Sequence, residues 1–502
     1  MSAVAAAPLG RRVMAGAAFM MAGRLAIRCL SIVSTLVLAR LLMPEDFGLV
    51  ALALAAFAIA DAVTNTGYAT LLIRTPDITR GHYDTAWTLN LLRCLLLALA
   101  VAGTASWQAA LLGDARIGPV LLAVAAGVAL DGLVSIGLVR LQREFRFDRF
   151  ATYQVATRLL NFGATLALAV LWQSYWAIIL GTLAAKLLAL PLGYALAPHR
   201  PRPSLWNWRY FLGFSGWGTV FNMAMVMEMQ GASLIIGRLL GLPALGQYNL
   251  AQQVATVPVS EIAAPTRAPL LAGYAELARD RAALARSYLD SQALLFAVIC
   301  PISVGIALVS PELERVALGP RWEGTWPMIA AIALVALADN FSNAVFSIFA
   351  IFERYRDTAL AFCLVAALRT ALLLGGAWWW GMEGLLGALA LSALAGLAFW
   401  QWLVARALGH GLGALPARTW RTLAAAAAMA AGVLALRAAW PEGAGLLPAL
   451  GRLLAFAALG AALHLGTQFL LWRLCGAPPG AERRLANLAL GALERLRRRR
   501  KA

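Results

Sequence analysis

Charge is scarce in this chain. Only 13% of its 502 residues are Asp, Glu, Lys or Arg, about half the ~25% of an average soluble domain, while 61% are hydrophobic. That balance excludes a soluble globule, which needs more polar surface than these residues supply. Lysine is nearly absent, with Lys186 and Lys501 the only two among 42 basic residues. Histidine is limited to His82, His199, His410 and His464, scattered singly without an HExxH or a carboxylate at metal-ligand spacing, which speaks against a metal site. The five cysteines form no CxxC, and four lie in apolar stretches, so they read as packing residues rather than disulfides or ligands.

Long apolar runs, by contrast, fill the chain. At ~20 residues per transmembrane helix the length holds 14 spans with only short connectors, leaving no room for a large catalytic domain outside the bilayer. The first run starts at Val13, continues past signal-peptide length and carries Arg24 and Arg28 without a cleavage site, so it is a retained span. Six spans fall near 13–41, 46–73, 83–106, 117–139, 151–172 and 175–197, an N-lobe over 1–197. A polar linker, PHRPRPSLWNWR, occupies 198–209. Six more spans near 210–236, 247–270, 287–310, 327–352, 358–380 and 384–405 form a C-lobe over 210–405. Two follow near 422–440 and 446–472, within 406–472, before a basic tail at 473–502. The fold class is therefore an all-α integral membrane protein with 14 transmembrane helices.

The net charge of +18 would suit nucleic acid, but the placement of the arginines argues against that partner. With both termini cytoplasmic, cytoplasmic segments hold 28 basic residues against seven on the other side, and the remaining seven lie within spans. Such a bias, repeated loop by loop, sets topology. Trp107, Trp172, Trp176, Trp322, Trp326 and the Trp378 to Trp380 triplet cluster at outer span ends, and Trp206 and Trp208 at an inner one, as an aromatic belt. In the tail, Leu485, Leu488, Ala492, Leu493 and Leu496 recur at helical spacing beside arginines, a pattern that lies on an anionic inner leaflet.

Sliding the sequence by 198 positions aligns Leu36, Arg40, Leu41, Leu42, Gly48 and Ala53 with Leu234, Arg238, Leu239, Leu240, Gly246 and Ala251 without a gap. LARLLMPEDFG recurs as IGRLLGLPALG, each between the first and second spans of its lobe. GLPALG is a turn rather than a phosphate loop, since no Lys-Ser/Thr pair follows it. Two lobes running in the same direction imply a pseudo-twofold axis along the membrane normal, the plan of a transporter around a central cavity.

The repeat, the 6+6+2 layout and the stretch GRLAIRCLSIVSTLVLARLLMPEDFGLVALALAAF resemble the Wzx-like lipopolysaccharide biosynthesis exporters, the polysaccharide flippases of the MOP superfamily. YDTAWTLN, REFRFDRFA, YAELARDRAALARSYLDS and ERVALGPRWEGTWPMI look like the same branch, over residues 11 to about 405. The resemblance implies a bacterial inner-membrane flippase, not an enzyme. It would turn undecaprenyl-pyrophosphate-linked oligosaccharide repeat units across the membrane by alternating access, for exopolysaccharide, capsule or O-antigen. Its partners would be that lipid-linked substrate, membrane lipids, and the polymerase and glycosyltransferases that act on the same sugars. No cofactor is implied beyond a coupling H+ or Na+.

Charge at mid-bilayer costs ~2.5–3.5 kcal/mol, so the seven intramembrane basics, Arg24, Arg28, Arg93, Arg158, Lys186, Arg267 and Arg369, should turn inward. Arg24 and Arg28 share one helical face. A cationic cavity would hold a pyrophosphate, whose oxygens guanidinium forks match. The bland alternative is that these basics only neutralise the intramembrane acids Asp61, Asp131, Glu228, Glu261 and Asp339. The acids could equally exchange the coupling cation. Asn65 and Asn343 follow Asp61 and Asp339 by four residues, polar stripes that suit helix-helix hydrogen bonding as well as substrate. A lipid II flippase shares this layout, and a multidrug antiporter would favour an acidic cavity instead. A membrane polymerase or glycosyltransferase would need a larger outer loop than residues 311–326 provide.

Overall fold

Ala and Leu, strong helix formers, fill the apolar runs, and hydrocarbon offers a backbone no partner but itself. The computed structural model accordingly folds every regular element among its described residues as a helix. Those residues are 9–483 except 65–66, 76, 213–215, 344, 353–354, 442, 444, 479 and 481. The basic tail beyond 483 lies outside them.

One compact unit, residues 1–246, holds α1 (Leu9–Leu41), α2 (Pro44–Thr64), α3 (Tyr68–Arg74), α4 (Arg80–Leu112) and α5 (Ile117–Gly132). It continues through α6 (Gly137–Arg143), α7 (Phe147–Trp172), α8 (Trp176–Leu196), α9 (Trp208–Leu212) and α10 (Gly216–Leu239). Within it α7 lies against α1 and α8, α4 against α5, and α10 along α2. The other unit, residues 247–502, holds most of α11 (Leu242–Glu276), then α12 (Arg281–Leu313), α13 (Trp326–Asn343) and α14 (Val345–Ile351). α15 (Tyr355–Leu408), α16 (Pro416–Ala439) and α17 (Leu446–Leu474) complete it. There α12 packs on α13, α16 and α17, and α16 pairs with α17.

Helix starts follow local chemistry. Pro44 opens α2 with Glu45 and Asp46 in the first turn, where the helix dipole favours acids. Asp280 caps α12, its carboxylate accepting from the N–H groups of Ala282 and Ala283 at 3.0 and 2.9 Å.

Ten helical segments are long and apolar enough to cross a bilayer, or eleven if α5 and α6, bent 58° at their junction, count as one. The 14 spans read from the sequence are not reached by this count. The apolar part of α13, Trp326–Phe341, is short of a full span. α11 runs unbroken through Pro258, Pro265 and Pro269 and is not among the ten. In α15, Trp380 (φ −130°, ψ 15°) and Gly381 (φ 61°, ψ −136°) leave the helical region. The expected spans 358–380 and 384–405 fall on either side of that break. Its two legs touch at Gly376 and Gly384, where a methyl group on either would overlap the other's carbonyl. Outward leucines such as Leu96, Leu99 and Leu171, each at least 67% exposed, suit hydrocarbon and not water. The chain is a multi-pass membrane protein.

Candidate functional site

Three of the intramembrane acids meet three of the intramembrane bases. On adjacent helices α2 and α4, Arg93 Nη1 donates to Asp61 Oδ1 at 2.7 Å and to Thr64 Oγ1 at 3.3 Å. Between α5 and α8, Lys186 Nζ donates to Asp131 Oδ2 at 2.6 Å and to the Gly127 carbonyl at 3.2 Å. In the second unit, Arg369 on α15 reaches Asp339 on α13 at 3.3 Å, with buried Tyr248 within electrostatic range. Each pair is half-buried, so a neighbouring charge offsets part of the desolvation.

The α1–α7 face is different. Arg24 is exposed and Arg28 half-buried on α1, and each makes polar or electrostatic contacts. Arg158 on α7 stands within electrostatic range of Arg28, and its buried Nε has no hydrogen-bond partner among the described residues. Two guanidinium groups thus share one neighbourhood, an arrangement that an anion between them would relieve. Glu228 on α10 and Glu261 on α11 are half-buried and engaged in contacts of their own. The side chains of Arg267, Asn65 and Asn343 lie outside the described residues.

The matched corners of the repeat touch each other. A methyl group on Gly48 would overlap the Leu242 carbonyl, and one on Gly246 would overlap the Pro44 carbonyl. Both pairs are related by the same offset of 198, so the contact is reciprocal. Close by, Arg116 Nη2 bridges Asp114 at 2.7 Å and Glu45 at 2.5 Å, and Arg238 Nε donates to the Leu111 carbonyl at 2.9 Å. The hydrogen bonds from Arg116 lower the Asp114 pKa, and those to Asp114 and Glu45 raise that of Arg116. The recurrence of Arg40 as Arg238 marks this corner in the sequence, whereas nothing in the sequence marks Arg116 as the bridge to Glu45.

The motif residues mostly build structure. Asp84 of YDTAWTLN is buried and accepts from His199 Nε2 at 3.0 Å and the Arg202 N–H at 3.2 Å, anchoring the 198–209 linker. Arg143 of REFRFDRFA donates to the carbonyls of Leu72 and Thr75 at 3.1 and 2.7 Å, closing the end of α3. In YAELARDRAALARSYLDS, Tyr274 bonds Ser291. In ERVALGPRWEGTWPMI, Glu314 accepts from the N–H groups of Trp326 and Gly324 at 2.5 and 3.3 Å at the start of α13. Among the described residues no cluster of His, Cys, Asp and Glu could hold a metal.

Comparison with known proteins adds a family and a fold. Residues 37–327 match the family described as polysaccharide biosynthesis protein. The lipopolysaccharide biosynthesis protein WzxC of Escherichia coli (strain K12) is 25% identical over 325 residues, 64% of this chain and 66% of that protein. The succinoglycan biosynthesis transport protein ExoT of Rhizobium meliloti (strain 1021) is 24% identical over 314 residues, 61% of this chain and 62% of that protein. The matched stretch thus spans slightly less than two thirds of either relative. Among solved structures, the lipid II flippase MurJ in an inward closed conformation superposes with a TM-score of 0.72 at 12% identity, covering 90% of this chain and 98% of that one. An inward-facing multidrug resistance MATE family transporter of the MOP superfamily gives 0.53 at 15% identity, covering 78% and 99%. At these identities the likeness is one of fold.

Proposed function

Because the chain belongs to the polysaccharide biosynthesis protein family, we propose that it is a transporter and not an enzyme, a flippase for undecaprenyl-pyrophosphate-linked oligosaccharide repeat units. It works by alternating access in a bacterial inner membrane, with 14 spans, both termini cytoplasmic, and two six-helix lobes about a pseudo-twofold axis. It serves exopolysaccharide, capsule or O-antigen assembly. The observation that carries the reading is the shared neighbourhood of Arg28 and Arg158, where the buried Arg158 Nε has no hydrogen-bond partner among the described residues. A pyrophosphate between these groups would add negative charge and acceptors, and planar guanidinium forks bind phosphate oxygens in pairs. The curated relatives favour a polysaccharide precursor over lipid II, since the likeness to MurJ speaks to fold alone.

The ion pairs supply a coupling device. Arg93–Asp61, Lys186–Asp131 and Arg369–Asp339 each hold a base against an acid on a neighbouring helix. A substrate phosphate that draws a base away leaves the acid to take up H+ or Na+, and Glu228 and Glu261 are further carriers of this kind.

The test is complementation of a bacterium lacking its own flippase. Arg158→Ala and Arg28→Ala should abolish surface polysaccharide while membrane protein level stays normal, and Arg158→Lys should restore part, because an ammonium keeps the charge without the fork. Full polysaccharide from Arg158→Ala at normal expression overturns the binding role.

A further inference from the structure

At one end of the first unit, where α4 begins, α6 ends and α8 runs into the linker, lies a cavity of about 690 Å³. Arg80, Arg140, Arg143 and Arg200 line it, with Tyr83 and His199 between them. The acids nearby are already committed. Glu144 on the wall holds Arg140 at 2.5 Å, and buried Asp84 behind it holds His199 at 3.0 Å and Arg80 at 3.7 Å. Four arginines and one carboxylate, that of Glu144, therefore line the cavity.

Their positions are set by backbone rather than chance. Arg143 is fixed by the carbonyls of Leu72 and Thr75, and Arg80 donates to the Arg200 carbonyl at 3.2 Å, so the loop before α4, α6 and the linker close on one another. Arg200 and Arg140 remain exposed at the rim. Like charges gathered in a fixed cavity repel at every pH where arginine is charged, and an anion among them reverses the sign of that term.

Depth identifies the anion. The linker beside the cavity exposes Trp206 (70%) and Leu205 (50%). Trp206 packs edge-on against His82 with ring centroids 5.6 Å apart, and Tyr210 bonds Thr75 at 2.7 Å, so this apolar edge is anchored to the cavity wall. Exposed indoles of this kind sit at the headgroup level of a bilayer, where the fixed anions are phosphates.

We propose that this cavity is a phosphate site separate from the α1–α7 face, occupied by the headgroup of an anionic phospholipid. The same chemistry would admit a soluble diphosphate, and binding measurements separate the two sources. On the orientation proposed above this end is cytoplasmic, but the measurement does not depend on it.

The purified full chain, in a neutral detergent, is examined by native mass spectrometry with phosphatidylglycerol or phosphatidylcholine, and titrated separately with inorganic pyrophosphate. Wild type should retain phosphatidylglycerol and not phosphatidylcholine, and Arg140→Gln with Arg200→Gln should weaken retention about tenfold or more. Pyrophosphate binding that falls in the same double variant, without lipid retention, supports the site with a soluble occupant. Arg200→Gln alone, at an exposed linker position, should shift binding in the same direction and guards against misfolding of the double variant. Three results overturn the proposal: no retention of either anion, retention unchanged in these variants, or loss only in Arg28→Ala, which would place the phosphate on the α1–α7 face.

Discussion

At the scale of residues, three of the bases inside the membrane, Arg93, Lys186 and Arg369, each meet an acid on a neighbouring helix. Arg93 and Asp61 are 32 positions apart in sequence, and nothing in that separation says which way α2 and α4 are rotated. A list of seven bases and five acids was legible; their pairing was not. The pairing predicts a double-mutant outcome. Arg93→Ala leaves Asp61 half-buried without its partner and should cost about 1–3 kcal/mol of stability, below the ~3–5 kcal/mol of a fully buried pair because solvent screens both groups. Adding Asp61→Ala should recover most of the loss in melting temperature. No recovery would mean that Arg93 is held by something other than Asp61. Asp114 offers a test by pH. Hydrogen bonds from Arg116 depress its pKa in the folded protein, so its contribution to stability is present above the ordinary carboxylate pKa of ~3.9 and lost as pH falls through the lower folded value. Wild type should melt above Asp114→Asn at neutral pH, and the gap should close in acid below pH ~4. A gap that persists there would contradict the assignment.

Among the helices, two junctions depend on glycine for different reasons. Gly48 and Gly246 let α2 and the start of α11 approach backbone to backbone, and any side chain there would meet a carbonyl. Gly381 holds φ 61° and ψ −136°, a region that L residues enter at a cost of about 1–3 kcal/mol. Gly246→Leu should therefore destabilise by separating the helices, and Gly381→Ala by strain at the break in α15 without disturbing the α2–α11 contact. Fluorescence-detected melting of both variants checks this, and a wild-type melting temperature for Gly246→Leu would refute the close contact. Sequence made the first junction visible, because the glycines recur at a fixed offset on the same topological corner. The break in α15 was also visible, as a boundary between two apolar runs. The 58° bend between α5 and α6 was not, since Ile117 to Arg143 reads as one apolar run with a basic end. At the bend Leu133 to Ile136 lie between the two helices and Ser135 donates to the Ala197 carbonyl at 2.9 Å, a tertiary contact that the run of residues does not announce.

For the whole molecule, the offset of 198 carries the most weight. Gly48 meets Leu242 as Gly246 meets Pro44, which is the pattern of a local twofold, in which each copy offers the same patch to the other. Around that contact Arg238 at the end of α10 donates to Leu111 at the end of α4, and Arg116 reaches Glu45 at the start of α2. If transport alternates access, the helix ends gathered here form the closed gate of one state and must separate in the other, because a substrate bearing a sugar repeat cannot pass between backbones in contact. That requirement is testable with paired cysteines. The Arg238 side chain spans from α10 to the Leu111 backbone carbonyl of α4, so Leu111→Cys and Arg238→Cys place thiols about an arginine's length apart, a gap for a bifunctional thiol reagent of that reach. Cross-linking in a background cleared of Cys29, Cys94, Cys300, Cys363 and Cys475 should stop delivery of lipid-linked sugar to the outer face, and a reducing agent should restore it. Each single cysteine treated alike should transport normally, since one thiol cannot hold two helices. Transport that continues at full rate through the cross-link would mean that α4 and α10 never part, and alternating access at this gate would be wrong.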